Sequence, residues 1–96
     1  MSPRIARFQW DEANLAHIAL HLVSRDEVEQ AFLDDFARLE GTQVVNGEAR
    51  NQMIGETKDG RVLAVIFAIR RGEIRPVTAY TAKGRVLARY MAGRTR

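Results

Sequence analysis

The chain has 96 residues, 46% of them hydrophobic, and a formal net charge of +3. That is one domain, residues 1–96, with enough apolar content to fold around a single core. It has no cysteine, which excludes disulfides and thiolate metal sites, and it shows neither a signal-peptide pattern nor an apolar run near the ~20 residues of a membrane helix, so a cytoplasmic protein is expected.

Ile5 to Trp10 alternates apolar and polar residues and is expected to form a short first strand. Asp11 is a helix N-cap, and Leu15, Ile18, Ala19 and Leu22 recur at helical spacing, predicting an amphipathic helix over residues 12–21. Ser24 and Glu27 then form a capping box, flanked by Val23 and Val28 at the positions of a hydrophobic staple. A second helix follows to about Asp34, turning Val28, Ala31 and Phe32 inward.

From Phe36 the period becomes extended. Arg38–Val45 and Arg50–Thr57 are expected strands around the turn dipeptide Asn46-Gly47. Asp59-Gly60 makes a second turn. It leads into Val62–Ile69, which is apolar without alternation and therefore expected to be a central strand covered on both faces. Arg71-Gly72 turns the chain back into a strand over Ile74–Ala79, where Pro76 removes a donor and points to an edge position. A last helix is expected over Ala82–Ala92, with Leu87, Tyr90 and Met91 on one face and Gly93 as its stop. The order β-α-α-β-β-β-β-α describes an α+β fold: an antiparallel sheet with two N-terminal helices and one C-terminal helix.

The charge is divided along the chain. Residues 1–48 carry four Arg or Lys against nine Asp or Glu, a net of −5, and residues 49–96 carry eleven against three, a net of +8. All the cations but Lys58 and Lys83 are arginine, whose planar fork of donors suits phosphate and carboxylate groups. A basic half of this kind fits a polyanion or an acidic protein partner.

His17 and His21 stand four apart with Asn14 nearby. The spacing can hold a metal, but no third ligand accompanies it, so a solvent-facing pair is expected, with His21 as general acid or base the functional alternative. No glycine-rich phosphate loop and no nucleophile elbow is present, and Ser24 is explained as a cap. What remains is an arginine–tyrosine constellation on the sheet and last helix: Arg50, Arg61, Arg70, Arg75, Tyr80, Arg85, Arg89 and Tyr90. Gathered on one sheet face, such residues bind a phosphate backbone, and a ring can stack an unpaired base. Tyr90 shares a face with Leu87 and is expected at the core edge.

Three segments taken in order resemble the BrnT family of toxins, which have a RelE-like ribonuclease fold. The first is Phe8, Trp10, Asp11, Asn14, His17, His21 to Ser24, Glu27, Val28, Ala31 and Phe32; the second is Gly55-Glu56-Thr57 with Asp59 to Phe67; the third is Ile74 to Ala79. The resemblance implies the toxin half of a type II toxin–antitoxin pair, an endoribonuclease that arrests growth by cleaving RNA. It needs no metal or other cofactor, and a ribbon-helix-helix antitoxin of the BrnA type neutralises it, in a homodimer or a hetero-oligomer. A base takes the ribose 2′-hydroxyl proton, the oxygen attacks the adjacent phosphate, and cations stabilise the developing charge. Arg61 and Arg75 match family positions and are expected to bind that phosphate, with Tyr80 and Arg89 completing the catalytic site. Arg50, Arg70 and Arg85 are expected to bind RNA. The chain departs from the family at Tyr80, where an arginine is usual, at Val86, Leu87 and Ala88, where a glutamate and two arginines are usual, and at Leu22, where glycine is usual. These departures define the alternative: a weak or inactive relative acting as a basic module that binds an acidic protein or nucleic acid.

Overall fold

The computed structural model describes residues 7–94. Two capping boxes start its helical half. At α1 (Glu12–Ala19) the Asp11 side chain accepts from the Asn14 N–H while the Asn14 side chain accepts from the Asp11 N–H. At α2 (Arg25–Leu33) Ser24 and Glu27 make the reciprocal pair expected from the sequence.

α1 ends two residues earlier than its periodicity predicts, because Leu22 adopts a left-handed conformation with φ 58°. The Val23 N–H donates to Ile18 O (3.1 Å) and the Leu22 N–H to Ala19 O (3.0 Å), and Ile18 and Val23 are both buried in the core. This is the Schellman closure, in which glycine is the usual left-handed residue. Leu22 is 83% exposed, so its side chain gains little from packing to offset the strain of that conformation. Replacing Leu22 by Gly is expected to stabilise the fold by about 0.5–1 kcal/mol once the extra freedom of the unfolded chain is subtracted, read as a rise of a few degrees in the thermal midpoint.

The strands β1 (Arg38–Val45), β2 (Glu48–Glu56), β3 (Val62–Arg70) and β4 (Glu73–Thr81) form one antiparallel sheet in the order β1-β2-β3-β4. Asn46 (φ 52°) and Gly47 (φ 79°) make the two-residue turn between β1 and β2, with the positive φ pair that a tight hairpin requires. β2 and β3 are interior. β4 lies outermost, as Pro76 indicated, and its register shifts by one residue between Ile66 and Phe67: Thr78 faces Ile66, but Pro76 faces Phe67. Of the first expected strand, Ile5 and Ala6 lie outside the described residues. The rest makes one parallel bridge, Phe8 to Ile74, on the outer edge of β4.

Both faces of β3 are covered at one end, which explains its unbroken apolar run. Ile18, Val23, Val28 and Ala31 of the α1–α2 layer pack on Met53, Leu63, Val65, Phe67 and Ala79. On the other face, α3 (Gly84–Arg94) lays Tyr90, Val86 and Leu87 over Ile54 and Ala64. α3 starts two residues later than expected and runs through Gly93, the residue expected to stop it. Beyond Ala64 it leaves the sheet uncovered.

Tyr90, 1% exposed, anchors α3 by donating its hydroxyl to the Asp34 carboxylate, which also accepts from the Glu56 N–H (2.8 Å) and the Phe36 N–H (3.1 Å). Burial raises the Asp34 pKa, but the hydrogen bonds from Tyr90, Phe36 and Glu56 outweigh it and hold the carboxyl below its usual range. Burial and the Asp34 charge push the Tyr90 hydroxyl the other way, upward. A depressed acid contributes stability above its unfolded pKa and loses it as pH falls through the folded value; a raised phenol contributes below its unfolded pKa and loses it as pH rises through the folded one. Stability from this pair is therefore present near neutrality, and it declines below about pH 4 and above about pH 10. Denaturant titrations across pH should show the acid limb flattened in an Asp34→Asn variant.

Candidate active site

The uncovered part of the sheet carries the polar residues. Pairing of Ala64 with Tyr80 and of Ile66 with Gln52 and Thr78 places Tyr80, Gln52 and Thr78 on the face opposite α1 and α2. There a groove of about 640 Å³ opens. His21 and Tyr80 form one wall, Lys83 and Val86 the other, and Gln52 and Ala64 the floor. The small Ala64 side chain leaves the space that the tyrosine ring borders. The His21 ring meets the Tyr80 ring edge-on, 5.9 Å between centroids, and the Gln52 amide donates to the Tyr80 hydroxyl at 3.4 Å, a long bond. An imidazole, a phenol and an ammonium thus converge on one open groove, the groups that acid–base chemistry on a phosphate ester uses.

A second, smaller pocket of about 180 Å³ lies on the same face. Arg50, Arg70 and Arg75 line it, with His17 and Asn14 of α1 on its rim. Arg75 sits on this face only because of the β4 bulge, which pairs it with Ala68. Between the Ala64–Tyr80 and Ala68–Arg75 pairs β3 advances four residues, about 14 Å at ~3.4 Å per residue. The Thr78 hydroxyl lies between them, buried and with no hydrogen-bond partner among the described residues.

These arginines are partly balanced. Arg70 forks onto Glu48 at 2.7 and 3.0 Å, Arg50 reaches the same carboxylate at 3.5 Å, and Arg75 contacts Asp11 at 2.9 Å. The Arg70 hydrogen bond holds the Glu48 carboxyl below its usual range. For Asp11, the Asn14 N–H is the larger lowering cause and Arg75 the second. Neither Arg50 nor Arg75 has its whole fork engaged by these contacts.

The other expected site residues are placed elsewhere. Arg89 donates to Glu40 at 2.6 Å, and Arg38 reaches both Glu40 and the Arg89 carbonyl, so this group ties α3 to β1 away from the groove. Arg85 is exposed on α3 outside both pockets. Arg61 sits behind the groove wall: its fork donates to Leu22 O (2.7 Å), His21 O (3.1 Å), Thr81 Oγ1 (3.1 Å) and the Glu27 carboxylate (3.4 Å). Asn14 spends its amide donors on Gln9 O and Pro76 O. Tyr90 belongs to the core, as its helical face indicated. Gln52 and Lys83 escaped the sequence reading. For Gln52 the strand alternation was the available signal; for Lys83, at the entry to α3, there was none.

A family model described as the ribonuclease toxin, BrnT, of type II toxin-antitoxin systems matches residues 10–85, more than half of the 96-residue chain. No curated protein matches the chain.

Proposed function

The chain belongs to the BrnT family of ribonuclease toxins of type II toxin–antitoxin systems, and on that premise we propose that it cuts single-stranded RNA in the His21–Tyr80–Lys83 groove without a metal ion. The observation that carries this reading is the meeting of His21 and Tyr80 across a groove that also holds a cation. The His21 imidazole takes the proton of a ribose 2′-hydroxyl, and the freed oxygen attacks the adjacent phosphorus. As the P–O5′ bond breaks, the Tyr80 hydroxyl returns a proton to the leaving oxygen, giving a 2′,3′-cyclic phosphate and a 5′-hydroxyl. Lys83 stabilises the charge on the phosphorane. Arg50, Arg70 and Arg75, about 14 Å along the sheet, hold a neighbouring stretch of the same strand by its phosphates. Arg85 and Arg89 contribute to the basic approach rather than to the bond being broken.

The partner on this reading is a cytoplasmic ribbon-helix-helix antitoxin that covers the basic face. Growth arrest on expression, and cleavage of an RNA oligonucleotide in excess chelator, test the function. Arg75→Ala with Tyr80→Ala is expected to abolish both. Arrest that persists in the double variant overturns the site. RNA binding without cleavage by the parent chain favours the binding-module alternative, for which the pairing of Arg70 and Arg75 with carboxylates is the supporting observation.

A further inference from the structure

We infer that Arg61 is a positioning residue that sets the His21–Tyr80 separation, and not a ligand of the RNA phosphate; this rests on the groove as the site of cleavage. Guanidinium has five N–H donors in a rigid plane. Nε–H goes to Thr81 Oγ1, one terminal nitrogen to Leu22 O and the Glu27 carboxylate, and the other to His21 O. Only one donor is left over, too few for the bidentate grip that makes arginine a phosphate ligand.

The four partners come from three parts of the chain, and two of them adjoin the reacting groups. His21 O belongs to the residue whose ring enters the groove, and Thr81 is the neighbour of Tyr80. His21 and Leu22 lie in the turn that closes α1, so their carbonyls sit at the negative end of that helix, where a cation is favoured. Glu27 is tied to the start of α2 through the Ser24 N–H (3.0 Å). Arg61 is itself held at its backbone: its N–H donates to Thr57 Oγ1 (3.1 Å) and its carbonyl accepts from the Thr57 N–H (2.8 Å). One rigid fork therefore fixes the α1–α2 turn against the end of β4, and through them the imidazole against the phenol. Lysine keeps the charge but cannot span four acceptors in a plane.

The test compares Arg61→Lys, Arg61→Gln and Thr81→Val in the full chain. Kinetics are measured on a single-stranded RNA oligonucleotide, with the His21 ring NMR signals followed in RNA-free protein. Arg61→Lys is expected to lower kcat about 10- to 100-fold with KM within about twofold, since small misplacements of reacting groups cost up to about 10²-fold. Thr81→Val, with Arg61 intact, is expected to move kcat in the same direction by less. Both are expected to shift the His21 ring signals. Arg61→Gln is expected to leave the salt dependence of RNA binding unchanged. The inference is overturned if Arg61→Lys raises KM at constant kcat with His21 signals unmoved, or if Arg61→Gln reduces the salt slope by about one, the signature of a lost phosphate contact. If His21→Ala cleaves normally, the groove reading fails instead, while the His21 signals still report whether Arg61 positions that turn.

Discussion

His21→Ala is expected to lower the single-turnover rate of RNA cleavage by two to four orders of magnitude, the range a positioned general acid or base supplies. The residue is exposed in the turn after α1 and holds its structural contacts through its backbone, which alanine retains. The fold and the affinity for RNA should therefore stay close to those of the parent, with affinity read by fluorescence anisotropy on a non-cleavable 2′-deoxy strand. Tyr80→Phe keeps the ring against His21 and removes only the hydroxyl, separating proton donation from ring packing. A His21→Ala protein that cleaves at the parental rate would falsify the assignment of the base.

The second large effect is on stability. A Cβ at Gly55 would stand 2.1 Å from Ala31 O, 2.9 Å from Ala31 C and 3.2 Å from Ala31 Cα. All three are backbone atoms of α2, so no side-chain rotation relieves the clash, and the helix that buries Val28 and Ala31 must lift from the sheet. Gly55→Ala is expected to cost about 3 kcal/mol, the upper end of overpacking, or a fall of at least about 12 °C in the thermal midpoint of a domain this size. Gly41→Ala is the control: nothing lies within 4 Å of its Cβ, and its effect should stay within about 0.5 kcal/mol. Equal midpoints for the two variants would show that α2 does not approach β2 as described.

Much of the fold was legible because the signals are local. The Ser24–Glu27 box placed the start of α2, Asn46-Gly47 placed the first hairpin, and the bounds of β1 match the extended period after Phe36. The unbroken Val62–Ile69 run correctly marked an interior strand. Each depends on neighbours within a few residues. The end of α1 was misplaced because Leu22 continues the apolar period while its backbone has already left the helix, and side-chain type alone does not report φ.

The candidate site was only partly legible. Tyr80 was identified, and Arg50, Arg70 and Arg75 do gather, but no count along the sequence puts Arg75 and Tyr80 on one face. Five residues apart, they would face opposite ways in a regular strand; the extra residue of the β4 bulge reverses Arg75. The partners of Arg61 and Arg89 lie 20 to 49 residues away in the chain, in elements that only the sheet register and helix docking bring within reach.

By itself, then, the sequence determined the elements, the family and the basic character of the C-terminal half, since periodicity, turn chemistry and composition are properties of short stretches. The tertiary structure decided which cations face open solvent and which are held by carboxylates and carbonyls. A guanidinium takes whatever acceptors folding brings within about 3 Å, and that choice belongs to the packed molecule.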